Sequence, residues 1–162
     1  MREVRRGMSA DIPAVIEVVW RGVHEGAAPR YSAAQRQAWL PSRPSGADYA
    51  ARLTGQRVWV ATEDGVLTGF VTLRPDGYLD FAYVLPEMRG TGTADALLAM
   101  LENHARARAL PRLFTRASDM ARPFFARHGW TVIGPAPQTR AGLVLPATDM
   151  AKALTSLDAA AA

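Results

Sequence analysis

Cysteine is absent from this chain of 162 residues. That excludes a disulfide scaffold, a thiolate metal site and a cysteine nucleophile. Histidine is scarce. His24, His104 and His128 are too scattered to suggest a histidine-only cage, so no metal is expected. Lysine is nearly missing: Lys152 is the only one, and almost all the positive charge is arginine. No apolar run reaches the ~18–20 residues that span a bilayer. The opening Met-Arg-Glu-Val-Arg-Arg passes straight into periodic sequence without the pattern of a secretory leader. A soluble cytoplasmic protein with no membrane contact is the expectation.

What is present suits a packed core. Hydrophobic residues make up 49% of the chain and charged residues 21%, and the length fits one domain. Nineteen basic residues against 15 acidic ones give a net charge of +4. Guanidinium groups grip oxyanions in a forked geometry. The arginines are spread along the chain rather than gathered in one arm, which points to an anionic small ligand and away from nucleic acid.

Residues 3–6 read as a short edge strand. Ser9 offers an N-cap to an amphipathic helix with Ile12, Val15, Ile16, Val19 and Val23 on one face, ended by residues 26–29. Ser32 and Gln35 form a capping box for a short helix reaching Trp39, and Ser45 caps a third that ends near Leu53. Strands follow at 57–62, 66–74 and 78–84. The turn signals Glu63-Asp64-Gly65 and Pro75-Asp76-Gly77 separate them, so they form an antiparallel meander. A long helix is expected at 91–109 and a short strand at 113–115. A helical segment from Ser118 to His128 settles into regular turns near Ala121 because of Pro123, and stops at Gly129. Closing strands are expected at 130–133 and 142–150, with Pro146 inside the second. The expected fold class is α/β (α+β in stricter usage). One mixed, mostly antiparallel sheet of about six or seven strands carries helices on both faces. A single domain spans 1–154, and 155–162 is a frayed tail.

The stretch that carries chemistry runs from Tyr78 to Leu98. A strand enters a turn holding Gly90 and Gly92, and the turn opens a helix. Glycines let backbone N–H groups approach a ligand closely, and the helix N-terminus adds positive potential, so an anion is expected at residues 89–95. A dinucleotide fold would need a third small residue where Asp95 stands, and a parallel sheet instead of a meander. An ATP-binding loop would need a lysine, and this turn has none. Both readings fail.

The stretch resembles the GNAT superfamily of acetyl-CoA-dependent N-acetyltransferases. Val84-Leu-Pro86 is followed by Arg89-x-x-Gly92-x-Ala94, which is similar to the family's pyrophosphate-binding pattern. Ala117-Ser118 leading to Pro123-Phe-Phe-Ala-Arg-His-Gly-Trp130 resembles the family's second conserved segment. Ala-Arg-Pro-Phe-Phe before Gly-Trp, with Tyr31, Gln35 and Trp39, is similar to the YafP-like branch. The resemblance implies a sheet that splits after the fourth strand, where a bulge leaves backbone groups for the pantetheine arm. It implies main-chain contacts to the cosubstrate acetyl-CoA from Ala82, Tyr83 and Val84, with an oxyanion donor near Val84. Gly90, Thr91, Gly92, Thr93, Ala94 and Asp95, with Arg89 ahead of them, would wrap the pyrophosphate. Ser118 would stand beside the pantetheine. The arginine excess reads mostly as a solvated surface, with Arg122 or Arg127 facing the adenosine phosphates as the alternative. A homodimer through the final strands is a further implication.

The implied reaction is acetyl transfer to a primary amine, on a small molecule or a peptide, by direct attack in a ternary complex. Phe125 stands at the cofactor where the family often places a tyrosine as acid, so Tyr83 or water is left to serve the leaving thiolate. Read as residues alone, Phe124 and Phe125 are in the first place core packing. Asp80 is the expected base, two residues before Ala82 and, by strand alternation, on its face. His24 and Glu25 are further candidates. His24, Tyr31, Gln35 and Trp39 are the expected acceptor contacts. The competing function is a non-catalytic CoA-binding sensor or interaction module.

Overall fold

The computed structural model describes residues 1–154, so the expected tail at 155–162 lies outside the described residues. The N-terminal half gives β1 (Arg2–Arg6), α1 (Ile12–Arg21), α2 (Ala33–Trp39) and α3 (Gly46–Leu53). The meander is β2 (Arg57–Glu63), β3 (Val66–Leu73) and β4 (Tyr78–Val84). Then come α4 (Thr93–Ala107), β5 (Arg112–Ser118), α5 (Arg122–Arg127), β6 (Thr131–Pro135), β7 (Gln138–Arg140), β8 (Leu143–Leu145) and β9 (Ala147–Ala153).

Seven strands make one sheet in the order β1-β2-β3-β4-β5-β9-β6, and β7 and β8 form a separate hairpin. Among the described residues only the β4–β5 pair is parallel. The helices cover both faces, as the mixed α/β class requires. α4 and α5 close a core with Val71, Leu79, Leu97, Leu101, Leu113 and Trp130. On the other face α1, the turn that follows it and α3 pack Val15, Val19, Val23 and Tyr49 against Val60 and Phe70. Covered on both sides, β3 is buried from Leu67 to Leu73, its two threonines included.

The capping box of α2 and the N-cap of α3 form as expected. Ser32 Oγ accepts from the Gln35 amide at 3.1 Å, Gln35 Oε1 accepts from the Ser32 amide at 2.8 Å, and Ser45 Oγ accepts from the Asp48 amide at 3.1 Å. Ser9 is different. It opens a short 3-10 turn, and Asp11 takes the capping role by accepting from the Met8 amide at 2.8 Å while Arg5 holds its carboxylate. The first helix ends in a π-helical turn, Gly22–Gly26, that no local signal marks. The expected strand at 142–150 is broken: Pro146, which has no N–H to donate, separates β8 from β9. β7 was not expected, because three polar residues carry no strand pattern.

Candidate active site

The site begins with a mismatch between β3 and β4. Val71 faces Ala82 and Leu73 faces Leu79, so Asp80 and Phe81 together oppose Thr72. The Phe81 amide donates to Thr72 Oγ1 at 3.1 Å, which satisfies a group the bulge takes out of the ladder. A bulge adds one residue and reverses the facing of what precedes it. Leu79 and Ala82 therefore both face α4, and Phe81 and Tyr83 face α1.

The same bulge parts β4 from β5. The two strands pair only at Tyr78–Phe114 and Leu79–Thr115, where Thr115 Oγ1 donates to the Leu79 carbonyl at 2.8 Å. Beyond Leu79 they diverge. The Leu85 amide donates to the Thr68 carbonyl at 2.8 Å. By antiparallel alternation Tyr83 then spends its backbone on Phe70, while Ala82 and Val84 turn their N–H and C=O groups toward the gap. Tyr83 thus offers its ring and not its main chain.

The gap leads to the glycine turn. Gly90 and Gly92 have φ of +73° and +87°, a region that costs a side-chain-bearing residue about 1–2 kcal/mol. The first helical bond of α4 runs from the Ala96 amide to the Gly92 carbonyl, so the amides of Thr93, Ala94 and Asp95 have no acceptor within the helix. Arg2 donates to the Thr91 carbonyl at 2.5 Å and Arg89 to the Gly26 carbonyl at 2.5 Å, which ties the turn to β1 and to the π-helical turn. Asp95 Oδ1 lies 2.6 Å from His128 Nε2 and 3.0 Å from Arg127 Nη2. The His128 contact and then the Arg127 guanidinium hold the Asp95 carboxyl below its ordinary value.

A cavity of about 330 Å³ joins the gap to the turn. Ala82, Tyr83, Val84, Arg89, Gly90, Gly92, Ala94, Asp95 and Ser118 all line it. Thr91 and Thr93 belong to the turn but not to the wall; their hydroxyls lie 3.0 Å apart. Ser118 Oγ accepts from the Ala121 amide at 3.2 Å, which closes the turn ahead of α5. Phe125 is not at the cavity. It is 2% exposed, packed on Trp130 at 4.8 Å between ring centres, and Phe124 takes the wall position instead. Successive helical residues point about 100° apart, and one position decides between core and cavity. Arg127 reaches the cavity; Arg122 does not line it.

Asp80 also departs from expectation. The bulge turns it to the face opposite Ala82, outside the cavity lining. Arg52 grips both carboxylate oxygens at 3.0 and 3.1 Å, and Gln56 donates to one of them at 2.8 Å. Of the expected acceptor contacts, Trp39 lines the cavity. Tyr31 is buried; its hydroxyl donates to the Pro146 carbonyl and accepts from the Asp119 amide. Gln35 donates to the Val144 carbonyl at 3.0 Å, and His24 Nε2 lies 2.7 Å from the Leu40 carbonyl. These three tie α2 to its surroundings. Glu25 pairs with Arg21.

Sequence reasoning missed several wall residues, among them Gly22, Met88, Met120 and Phe124. Gly22 is the instructive one. A Cβ there would lie 2.7 Å from Tyr83 Cδ1, so the absence of a side chain is what seats the Tyr83 ring. No motif announces it.

A sheet that parts after its fourth strand, beside a helix N-terminus with open amides, defines a class of acyl-transfer fold. The chain belongs to the GNAT acetyltransferase family: the acetyltransferase (GNAT) domain matches residues 27–154. A GCN5-related N-acetyltransferase from Rhodopseudomonas palustris is 31% identical with a TM-score of 0.88, over 95% of this chain and 96% of that one. The PaiA N-acetyltransferase of Thermoplasma acidophilum, crystallised with coenzyme A, is 19% identical with a TM-score of 0.76, over 95% and 99% of the two chains. A phosphinothricin acetyltransferase of Sinorhizobium meliloti, crystallised with acetyl-CoA, is 21% identical with a TM-score of 0.75, over 97% and 91%. The last two share the fold. No curated protein matches the chain in sequence. Among the described residues, no helix is long and apolar enough to cross a membrane.

Proposed function

We propose that the protein moves an acetyl group from acetyl-CoA to a primary amine, on a small molecule or a peptide, by direct attack in a ternary complex. The observation that carries this is the gap between β4 and β5, which opens at the bulge and ends on the glycine turn. The residues fit the cosubstrate. The free backbone groups of Ala82 and Val84 suit an amide-bearing pantetheine arm lying as an added strand. The open amides of Thr93, Ala94 and Asp95 suit a pyrophosphate.

Acetyl-CoA supplies an activated acyl carbon whose thiolate leaves readily, since thiols titrate near ~8.5. The amine nitrogen bonds to that carbon, the carbon–sulfur bond breaks, and the ammonium proton passes to water. The Val84 N–H faces the gap and is placed to bind the oxygen that gains charge; such donors typically contribute on the order of 100–1,000-fold in rate. Burial pushes the Tyr83 phenol above its ordinary range, so it keeps its proton at neutral pH. Tyr83 therefore serves the departing sulfur as a hydrogen-bond donor. Asp80 acts by position: held by Arg52 and Gln56, it fixes the bulge that aims Tyr83 and Val84. Trp39 forms the acceptor side of the cavity.

Release of free thiol from acetyl-CoA across an amine panel tests the reading. Turnover with at least one amine class is expected. Binding of coenzyme A without turnover of any amine would favour a non-catalytic module. Asp80→Asn tests the base. Under this reading its rate falls while the acidic limb of the pH–rate profile stays in place, and loss of that limb would restore Asp80 as the base.

A further inference from the structure

A second cavity, of about 540 Å³, lies at the other end of α4. The fifteen residues of that helix put the two ends about 22 Å apart. Arg6 from the end of β1, Arg57 from the start of β2, Arg74 after β3, and His104 and Arg108 from α4 all line it. Register explains how they meet. Arg6 faces Trp59 across the β1–β2 pair, and Arg57 faces Leu73 across β2–β3. Trp59 and Leu73 belong to the core under α4, so both arginines rise on the α4 face beside its C-terminal turns.

The charges there are not balanced. Among the described residues Arg6, Arg57 and Arg108 make no ion pair, and Arg74 has only Asp76 at 3.6 Å. The neighbouring Arg5, by contrast, is paired with Asp11 at 2.8 Å. Desolvation, then Arg57, Arg108 and Arg6, hold the His104 imidazole below its ordinary value. Arg57 is held down by desolvation and by Arg6 and Arg108. A helix C-terminus welcomes a cation, but its partial charge is only about half an elementary charge. That accounts for Arg108. It does not account for two further guanidiniums delivered by strands.

The geometry points to a second anion site, distinct from the acetyl-transfer cavity, in which Arg6, Arg57 and Arg108 hold a compact phosphate-bearing polyanion of the di- or triphosphate type. Forked guanidinium donors match phosphate oxygens, and three or four of them converging on one concavity match several charges on one small group. A nucleic acid would need a basic track longer than this enclosure.

The histidines supply the test. His104 borders this cavity, His128 touches Asp95 at the glycine turn, and His24 belongs to neither. Imidazole NMR signals of the full chain are followed while inorganic pyrophosphate or triphosphate is added, with sodium chloride at matched ionic strength as control. His104 is expected to shift in a saturable way that sodium chloride does not reproduce. Arg57→Gln and Arg108→Gln are each expected to weaken that response by roughly tenfold or more and to leave any His128 response unchanged. Shifts confined to His128, or no shift at all, would overturn the site. A His104 response equalled by sodium chloride would show screening only and overturn it too. A tighter His104 response to a single-stranded oligonucleotide than to triphosphate would overturn the compact-anion form. The wild-type titration stands even if a variant does not fold.

Discussion

Gly22 and Tyr83 show how little freedom the reacting end of the cavity has. A methyl at Gly22 would sit 2.7 Å from the Tyr83 ring, so the ring must turn or the π-helical segment must retreat. Overpacking of this kind typically costs about 1–3 kcal/mol. Gly22→Ala should therefore lower the melting temperature by several degrees and, if Tyr83 serves the leaving sulfur as proposed, cut thiol release at least tenfold. Calorimetry and the thiol assay measure the two effects separately. Asp95 makes a different prediction. Its carboxyl titrates below the ordinary value of 3.8, first through His128 and then through Arg127. A depressed carboxyl adds stability that is present above the unfolded value and is lost as pH falls through the folded one. The window thus lies below pH 3.8. Asp95→Asn should flatten the acid limb of a melting-temperature profile, lying slightly below the wild type at neutral pH and meeting it at the acid end; the difference is small because the pair is well exposed.

At the scale of elements, one buried ion pair joins α4 to β9. Glu102 is 7% exposed; Lys152 Nζ reaches both its oxygens at 3.1 Å, and Trp130 Nε1 donates to it at 3.0 Å. Lys152 also donates to the His128 carbonyl at 2.7 Å, which fastens the end of α5. Removing Lys152 leaves the buried Glu102 carboxylate with the Trp130 N–H and, as a cation, Arg106 at 3.8 Å, so Lys152→Met should cost up to about 3 kcal/mol and lower the melting temperature by up to roughly 6 °C. The double variant Lys152→Met with Glu102→Leu should recover much of that loss, which thermal melts would register. Nothing in the sequence marks this pair, although a single lysine in an arginine-rich chain was visible from the start. The elements themselves were largely legible, because caps, hairpin turns and apolar periodicity are local. What was hidden depends on partners far along the chain. The bulge that turns Asp80 away from Ala82 exists only because Thr72 sits opposite two residues. The choice of Phe124 over Phe125 for the cavity wall depends on where α5 rests against β5 and β6. The break at Pro146 was half visible: the proline was read, but not the hairpin built from β7 and β8 ahead of it.

For the whole molecule, the net charge of +4 conceals its distribution. Read along the chain, the arginines are dispersed; folded, Arg6, Arg57, Arg74 and Arg108 gather in one concavity while Arg5, Arg21, Arg52 and Arg127 find carboxylates. Sheet register does this, and register is not local information. Burial of His104 first, and the gathered charge after it, have a thermodynamic consequence. His104 titrates below its ordinary 6.5, so the native state resists taking up a proton there that the unfolded chain accepts. A base whose folded value is depressed loses stability as pH falls through the unfolded value, and the loss is complete once pH reaches the folded value. The melting temperature should therefore decline from about pH 7.5 downward through the ordinary imidazole range. The decline should be steeper at low salt, where the arginine charges reach the imidazole less screened. His104→Gln should remove that component, and the difference between wild type and variant isolates it from the other two histidines. Added triphosphate should shrink or reverse the same component, because an anion bound among the guanidiniums favours the protonated ring. A wild-type-minus-variant difference that ignores both salt and triphosphate would show that the arginines do not act on His104 as a group.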